Sequence, residues 1–480
     1  MNKKNILKKY GMMVLAVYAL AAVLFLVLAN HHIRYTPEQS CVIAENPEKD
    51  LGELVDGTSI VQTLSDTQKY LSGVEAYFLT YGRENQGSVR VEILDLSDES
   101  VAASSTCEVK SFGNGEWQSF ELDHPVDVTQ LKGQPGIRFV FENGTESNAV
   151  TMTTQAVSET DQELWVNGER QDGRALCIKV IEYADSQNAV WYPVILGVVF
   201  LLLAAFCAWN IREEKKGKIT VALKLVLMLE KYQFLLEQLV SRDFKTKYKR
   251  SILGVFWSFL NPLLTMAVQY MVFSHLFKFQ IPAYPVYLLT GVVLFNFFNE
   301  ATTQAMGAIT GNASLITKVY VPKYIYPISK VLSTSINLLF SLIPLFLVAW
   351  ITGRGIHWVY LMLPFGIITF LAFVIGVAFF LATAMVYFRD TQFLWGVFTL
   401  LWMYATPIIY PISILEGTFL YHFQKINPLY YYITFFRTII IDGVSPAPMA
   451  YLICIGFAVL ALAIGGAVFK KAQDQFILHI

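Results

Sequence analysis

The chain is poor in charge. Asp, Glu, Lys and Arg make up 15% of its 480 residues, against about 25% in an average soluble domain. Cysteine is scarce at five and histidine at seven. No Gly-x-x-x-x-Gly-Lys-[Ser/Thr] phosphate-cradling loop occurs, so the chain is not expected to bind ATP by that route. No inside loop carries an Asp-x-Asp pair, and no His/Cys/Asp/Glu cluster has metal-ligand spacing. A metal site, a membrane glycosyltransferase and an ordinary soluble enzyme are thereby disfavoured.

Apolar residues are abundant. The chain is 55% hydrophobic and 14% aromatic, with a mean hydropathy of +0.46. The formal net charge of −1 hides a split: residues 31–190 hold 27 acidic and 11 basic side chains, the remainder 10 and 25. An acidic block of −16 inside a basic, apolar chain of +15 implies two compartments with a membrane between them.

A helix needs about 20 apolar residues to cross a bilayer. Eight runs qualify: Gly11–Asn30, Ala189–Asn210, Ile252–Phe277, Val286–Met306, Tyr324–Ile351, Leu361–Val386, Phe393–Ile412 and Met449–Phe469. The first is too long for a typical signal peptide and lacks a clear cleavage site, so an uncleaved anchor is expected. Lys and Arg gather at alternate span ends. The N-terminal lysines and eleven basic residues between Arg212 and Arg250 fall on one side, with Lys318, Lys323, Lys330, Arg389, Lys470 and Lys471. Lys278, Arg354, Lys425 and Arg437 fall on the other. The positive-inside rule places residues 1–10, 211–251 and 471–480 in the cytoplasm and residues 31–188 outside.

Residues 31–188 read as all-β. Val89, Val91 and Ile93 alternate with polar neighbours; so do Ile137, Phe139 and Phe141, before an Asn143-Gly144 turn. Short strands at this spacing predict a sandwich. The stretches YFLTYGRENQGSVRVEILD, GEWQSFEL and GIRFVFENG resemble a jelly roll of the carbohydrate-binding-module type. Tyr77, Tyr81, Trp117 and Trp165 are then candidates for stacking on sugar rings. Cys41, Cys107 and Cys177 would face an oxidising side, where three thiols allow at most one bridge. A strongly acidic domain suits a neutral glycan better than a polyphosphate, unless Arg83 and Arg90 form a local basic patch.

Before the last six spans comes the stretch Ile219–Val240, whose latter part is amphipathic: Tyr232, Leu235, Leu236 and Leu239 recur at helical spacing, which suits a helix lying in the membrane interface. It leads into SRDFKTKYKRSILGVFWSFLNPLL (241–264). There Arg242, Lys245, Lys247, Lys249, Arg250 and Trp257 are candidates for meeting a lipid headgroup. Glu300, with Asn296 and Asn299, lies within a predicted span, where acids are costly and face a bundle interior or water. Arg250 and Arg389 are its candidate partners.

That string, with GNASLITKVYVPKYIYPIS (311–329), VYFRDTQ (386–392) and INPLYYYITFFR (426–437), resembles the ABC-2-type permeases that export polysaccharides, O-antigens and teichoic acids. The resemblance covers about residues 225–475. It implies a six-span permease core (252–470), a homodimer, and a separate ATPase subunit that binds ATP and Mg. It further implies that 310–322 forms a coupling helix docked on the ATPase, with Asn312, Leu315, Ile316, Lys318, Val319, Pro322 and Lys323 at that contact. An apolar Leu315–Ile316 pair exposed to cytosol fits such a role. The aromatic segment between Pro411 and Pro448 resembles re-entrant helices at the outer mouth, with Tyr430, Tyr431 and Phe435 as conduit candidates.

The expected protein is therefore an α-helical polytopic membrane protein of about eight spans, with an extracellular all-β, jelly-roll-like sandwich. Its expected partners are an ABC ATPase, a second copy of itself, the membrane and a lipid-linked glycopolymer; nothing points to nucleic acid. A drug exporter of the same superfamily and a polysaccharide chain-length regulator are the alternatives.

Overall fold

A computed structural model describes residues 6–35, 39–65, 69–157, 163–249, 252–276, 283–318, 321–415 and 417–479. It divides into two compact units, residues 31–192 and residues 1–30 with 193–480.

The first unit is a two-sheet, antiparallel structure. One sheet is ordered Gln39–Val42, Ile178–Tyr183, Tyr70–Leu79, Thr151–Ala156, Arg174–Leu176, with Glu116–Asp127 paired to Tyr70–Leu79 and Lys49–Asp50 to Thr151–Ala156. The other runs Glu169–Arg170, Leu164–Val166, Ser59–Thr63, Pro135–Glu142, Ser88–Asp95, Ser100–Glu108. The alternation legible in the sequence is the alternation of burial: Val89, Val91, Ile93, Ile137 and Phe139 are fully buried, together with Phe78 and Phe120 of the facing sheet. Side chains in a strand point alternately to its two faces, so a period of two puts one apolar set in the core.

The second unit is helical. Its principal helices are α1 (Ile6–Leu28), α2 (Asn188–Lys215), α3 (Val221–Tyr248), α4 (Trp257–Leu276), α5 (Tyr284–Met306), α6 (Ile325–Ile351), α7 (Leu363–Tyr387), α8 (Thr391–Ala405), α9 (Pro428–Arg437) and α10 (Pro448–Ala472). Among the described residues six helices are long and apolar enough to cross a membrane: Leu7–Leu28, Asn188–Lys215, Gly254–Ser274, Ile325–Ile351, Trp358–Tyr387 and Pro448–His479. The other two expected spans differ. Helix α5 has 23 residues but carries Asn296, Asn299, Glu300 and Gln304, which lower its hydropathy. The run expected at Phe393–Ile412 is only the 15-residue α8, about 22 Å long. It stops before Pro407, and Asn427 and Gln424 secure its end. Asn427 donates to Thr406 Oγ1 (2.9 Å) and accepts from Trp402 Nε1 (2.8 Å), while Gln424 donates to the Ala405 carbonyl (2.7 Å).

The core centres on α5, α6, α7, α9 and α10. Helices α7 and α10 touch backbone to backbone. A Cβ at Gly465 would lie 1.9 Å from the Gly376 carbonyl oxygen, and one at Gly376 would lie 2.3 Å from the Ala461 carbonyl carbon. Small residues at such crossings replace the missing hydrophobic drive between helices in lipid with close packing.

Candidate functional site: a polar groove among four helices

Helix α3 is capped by Thr220, whose hydroxyl accepts from the Leu223 N–H (3.3 Å). It runs past the amphipathic stretch expected to end at Val240 and continues to Tyr248. Asp243 and Lys247 are therefore neighbours on one helical face. Helix α6 presents a polar stripe, Lys330, Ser333, Thr334, Asn337 and Ser341, which rises roughly 16 Å along the helix axis. Asn296, Glu300 and Gln304 recur at every fourth position of α5. These stripes meet the ends of α3 and α4.

Two adjoining cavities result, of about 250 and 240 Å³, sharing Lys247, Thr334 and Asn337 in their linings. Trp257, Asn261, Asn296 and Glu300 line the first, and Asp243, Gln304 and Lys330 the second. The Lys247 ammonium donates to the Glu300 carboxylate (2.5 Å), which also accepts from Gln304 (2.8 Å) and Asn337 (3.4 Å). Tyr248 donates to Asn337 (2.9 Å), and its hydroxyl lies 2.5 Å from that of Ser258. Ser341 reaches the Ser258 carbonyl (3.1 Å). Lys330 pairs with Asp243 (2.9 Å). One network thus joins all four helices.

Residues assigned to separate tasks come together here. Lys247 and Trp257 share the groove with Asn296 and Glu300. Glu300 is not buried: about a third of its side chain is exposed. Its cation is Lys247, one of the basic cluster, rather than Arg389; Arg250 lies outside the described residues. Lys245 and Lys249 are exposed and Asn299 is half-buried, and none of the three lines either cavity. The α6 stripe and Asn261 were missed. The signal was present as polar residues at helical spacing inside an apolar run.

The coupling segment differs from expectation. Helix Ala313–Lys318 is one and a half turns long, and Ile316 is buried with Leu239, Ile309, Tyr326 and Phe476, with Leu315 packed beside them. The apolar pair thus faces its own chain. The exposed face is polar: Gly311, Ser314, Thr317 and Lys318. Asn312 bonds the Ala308 carbonyl (2.8 Å) and accepts from Arg242 of α3 (3.5 Å). Lys323 reaches the Gln473 carbonyl (2.5 Å), so it too is engaged within the chain, and Pro322 precedes α6. Val319 lies outside the described residues. Helix α3 therefore touches this segment through Leu239 and Arg242 and the groove through Lys247 and Tyr248.

The aromatic candidates near Pro411–Pro448 lie away from the groove. Phe435 is core, edge-on to Tyr451 at 5.0 Å. Tyr431 packs against Phe457 (5.7 Å) and Tyr430 (5.5 Å), and both tyrosines are half-buried. Arg437, counted above as a loop cation, is buried. It donates to the Pro407 (2.8 Å), Ile408 (2.9 Å) and Tyr287 (3.1 Å) carbonyls and stacks 3.3 Å from the Tyr287 ring centroid.

In the β unit, Tyr77 and Trp117 are cross-strand partners with ring centroids 5.5 Å apart, and Lys179 lies 4.2 Å over Trp117. Trp165 stands on the other sheet, and Tyr81 lies in the turn after Tyr70–Leu79, beneath Arg83. Arg83 pairs with Glu53, and Arg90 with Glu92 and Glu142, so neither creates a basic patch.

Residues 235–441 match the ABC-2 type transporter family. That segment is an ABC-2-type transporter domain. It contains every groove residue named above. The chain is 29% identical over 256 residues to the O-antigen export system permease protein RfbA of Myxococcus xanthus, which spans 53% of this chain and 98% of that protein. It is 29% identical over 245 residues to an O-antigen export system permease protein RfbA of Klebsiella pneumoniae (50% and 93%). With the polysialic acid transport protein KpsM of Escherichia coli it shares 21% over 246 residues (50% and 94%). The ABC-2 domain and its spans make the chain a multi-pass cell-membrane transport subunit.

Proposed function

We propose that this chain is the permease subunit of an ABC transporter that moves a lipid-linked polysaccharide outward across the cytoplasmic membrane. The observation that carries the reading is the match of almost the whole length of O-antigen export permeases to this chain. The family match over the groove and the coupling segment supports it. A separate ATPase subunit binds ATP and Mg and docks on the coupling segment. Its contact is the polar face at Gly311, Ser314, Thr317 and Lys318, because Leu315 and Ile316 are spent on the chain's own packing. Two copies of the chain form the conduit. Residues 31–188 stand on the outer side, a placement supported by the lysines and arginines that flank the first two spans on the opposite side, and Tyr77 with Trp117 meets the emerging glycan there.

Deleting the gene should remove the polymer from the cell surface and leave lipid-linked polymer inside. Normal surface polymer in the deletion strain would refute the reading. Drug sensitivity with normal polymer would move it to the small-molecule exporters of the superfamily.

A further inference from the structure

We infer that the groove holds a neutral sugar unit of the exported polymer, an assignment that rests on the exporter reading above. The charges in the groove are already matched. Glu300 holds Lys247 and Asp243 holds Lys330. An anion would have to break one of these pairs and would then sit beside the carboxylate it displaced. What remains for a ligand is neutral. Asn261 and Asn296 are exposed to the cavity, and among the described residues neither amide has a partner within the protein. An amide both donates and accepts, as a sugar hydroxyl does, whereas a phosphate only accepts at neutral pH.

Location argues in the same direction. Polar side chains at membrane depth are costly and mark a polar pathway or ligand. Here they follow one face of α6 from Lys330 to Ser341. Trp257, 45% exposed, lines the cavity, and an indole there gives the C–H face of a pyranose an apolar surface to rest on. Each cavity is about the size of one hexose ring, so the groove takes one or two sugar units.

The test uses the full-length protein in lipid nanodiscs with a photoreactive, diazirine-bearing methyl hexoside, its labelled peptides read by mass spectrometry. Label should fall on the groove-lining stretches 243–249, 257–276, 284–306 and 325–351. It should be competed by the unmodified methyl hexoside and not better by the same hexose as its 1-phosphate. Asn337→Leu and Asn296→Ala should each reduce labelling about tenfold, the effect of losing a buried hydrogen bond or two. Asn337 also holds Tyr248 and could disturb folding. Asn296→Ala removes no bond within the protein and serves as the independent variant. Labelling elsewhere, unchanged labelling in Asn296→Ala, or stronger competition by the sugar phosphate would overturn the assignment. Loss of surface polymer on gene deletion with an unaffected Asn296→Ala strain would sink this inference alone; persistence of polymer on deletion would sink the exporter reading.

Discussion

Lys247 and Glu300 are 53 residues apart in sequence and 2.5 Å apart in space. The pair ties the end of the amphipathic helix α3 to a carboxylate of α5. Each side chain keeps more than a third or about a third of its surface exposed, so the pair resembles a screened surface bridge more than a dry one. Lys247→Met or Glu300→Gln should each cost only about 1 kcal/mol in thermal unfolding of the detergent-purified protein. Export should fall much further, because the groove loses its fixed geometry. The exchanged pair, Lys247→Glu with Glu300→Lys, should recover export measured as surface polymer. No recovery would mean that the pair is not what organises the groove.

Ile316 and Lys318 separate packing from docking. Ile316→Ala removes a buried side chain and should destabilise the permease by about 2 kcal/mol or more. Lys318→Glu sits on the exposed face and should leave the melting temperature unchanged. It should nevertheless weaken co-purification of the ATPase subunit and lower surface polymer. A stable Ile316→Ala protein with lost ATPase binding would reverse these assignments.

Gly465 tests the α7–α10 contact. Gly465→Ala drives a methyl into the Gly376 carbonyl, so the helices must part, at a cost of about 2 kcal/mol or more. The adjacent Gly466 has nothing within 4 Å of its notional Cβ, and Gly466→Ala should be neutral. Size-exclusion profiles and melting of the two variants decide it; equal behaviour would remove the close-approach argument.

Asp95 makes the β unit acid-sensitive in a defined window. Its carboxylate accepts from the Ser97 hydroxyl (2.7 Å), from the backbone N–H of Ser97 (2.9 Å), and from those of Lys132 (2.6 Å) and Gly133 (3.0 Å). These bonds favour the charged form and pull its pKa down to about 2. A carboxylate whose folded pKa is depressed contributes stability above its unfolded value of about 3.9 and loses it as pH falls to the folded value. Melting of residues 31–188, a unit with its own core, should therefore drop between about pH 4 and 2. Asp95→Asn should melt lower at neutral pH and flatten that drop. Parallel curves would show that Asp95 does not set the window.

The features legible beforehand were those written as local periodicity. Runs of apolar residues marked the long helices, since a bilayer demands that length of helix. Alternation marked Ser88–Asp95 and Pro135–Glu142, since a half-buried strand demands a period of two. The segment's family was legible in four short motifs. Where these elements meet was not written locally. The sequence could show that Glu300 needed a partner but not that Lys247, one of several lysines in a row, would turn toward it. Ile316 read as exposed because it lies in a short loop expected on the cytoplasmic side, and its covering residues, Leu239 and Phe476, come from distant helices. Arg437 read as a loop cation because the carbonyls that hold it belong to α5 and to the Pro407–Ile408 turn. Composition and period determined what forms and which side of each element must be apolar; tertiary packing decided which polar groups face one another, because burial and hydrogen bonding are satisfied by neighbours in space.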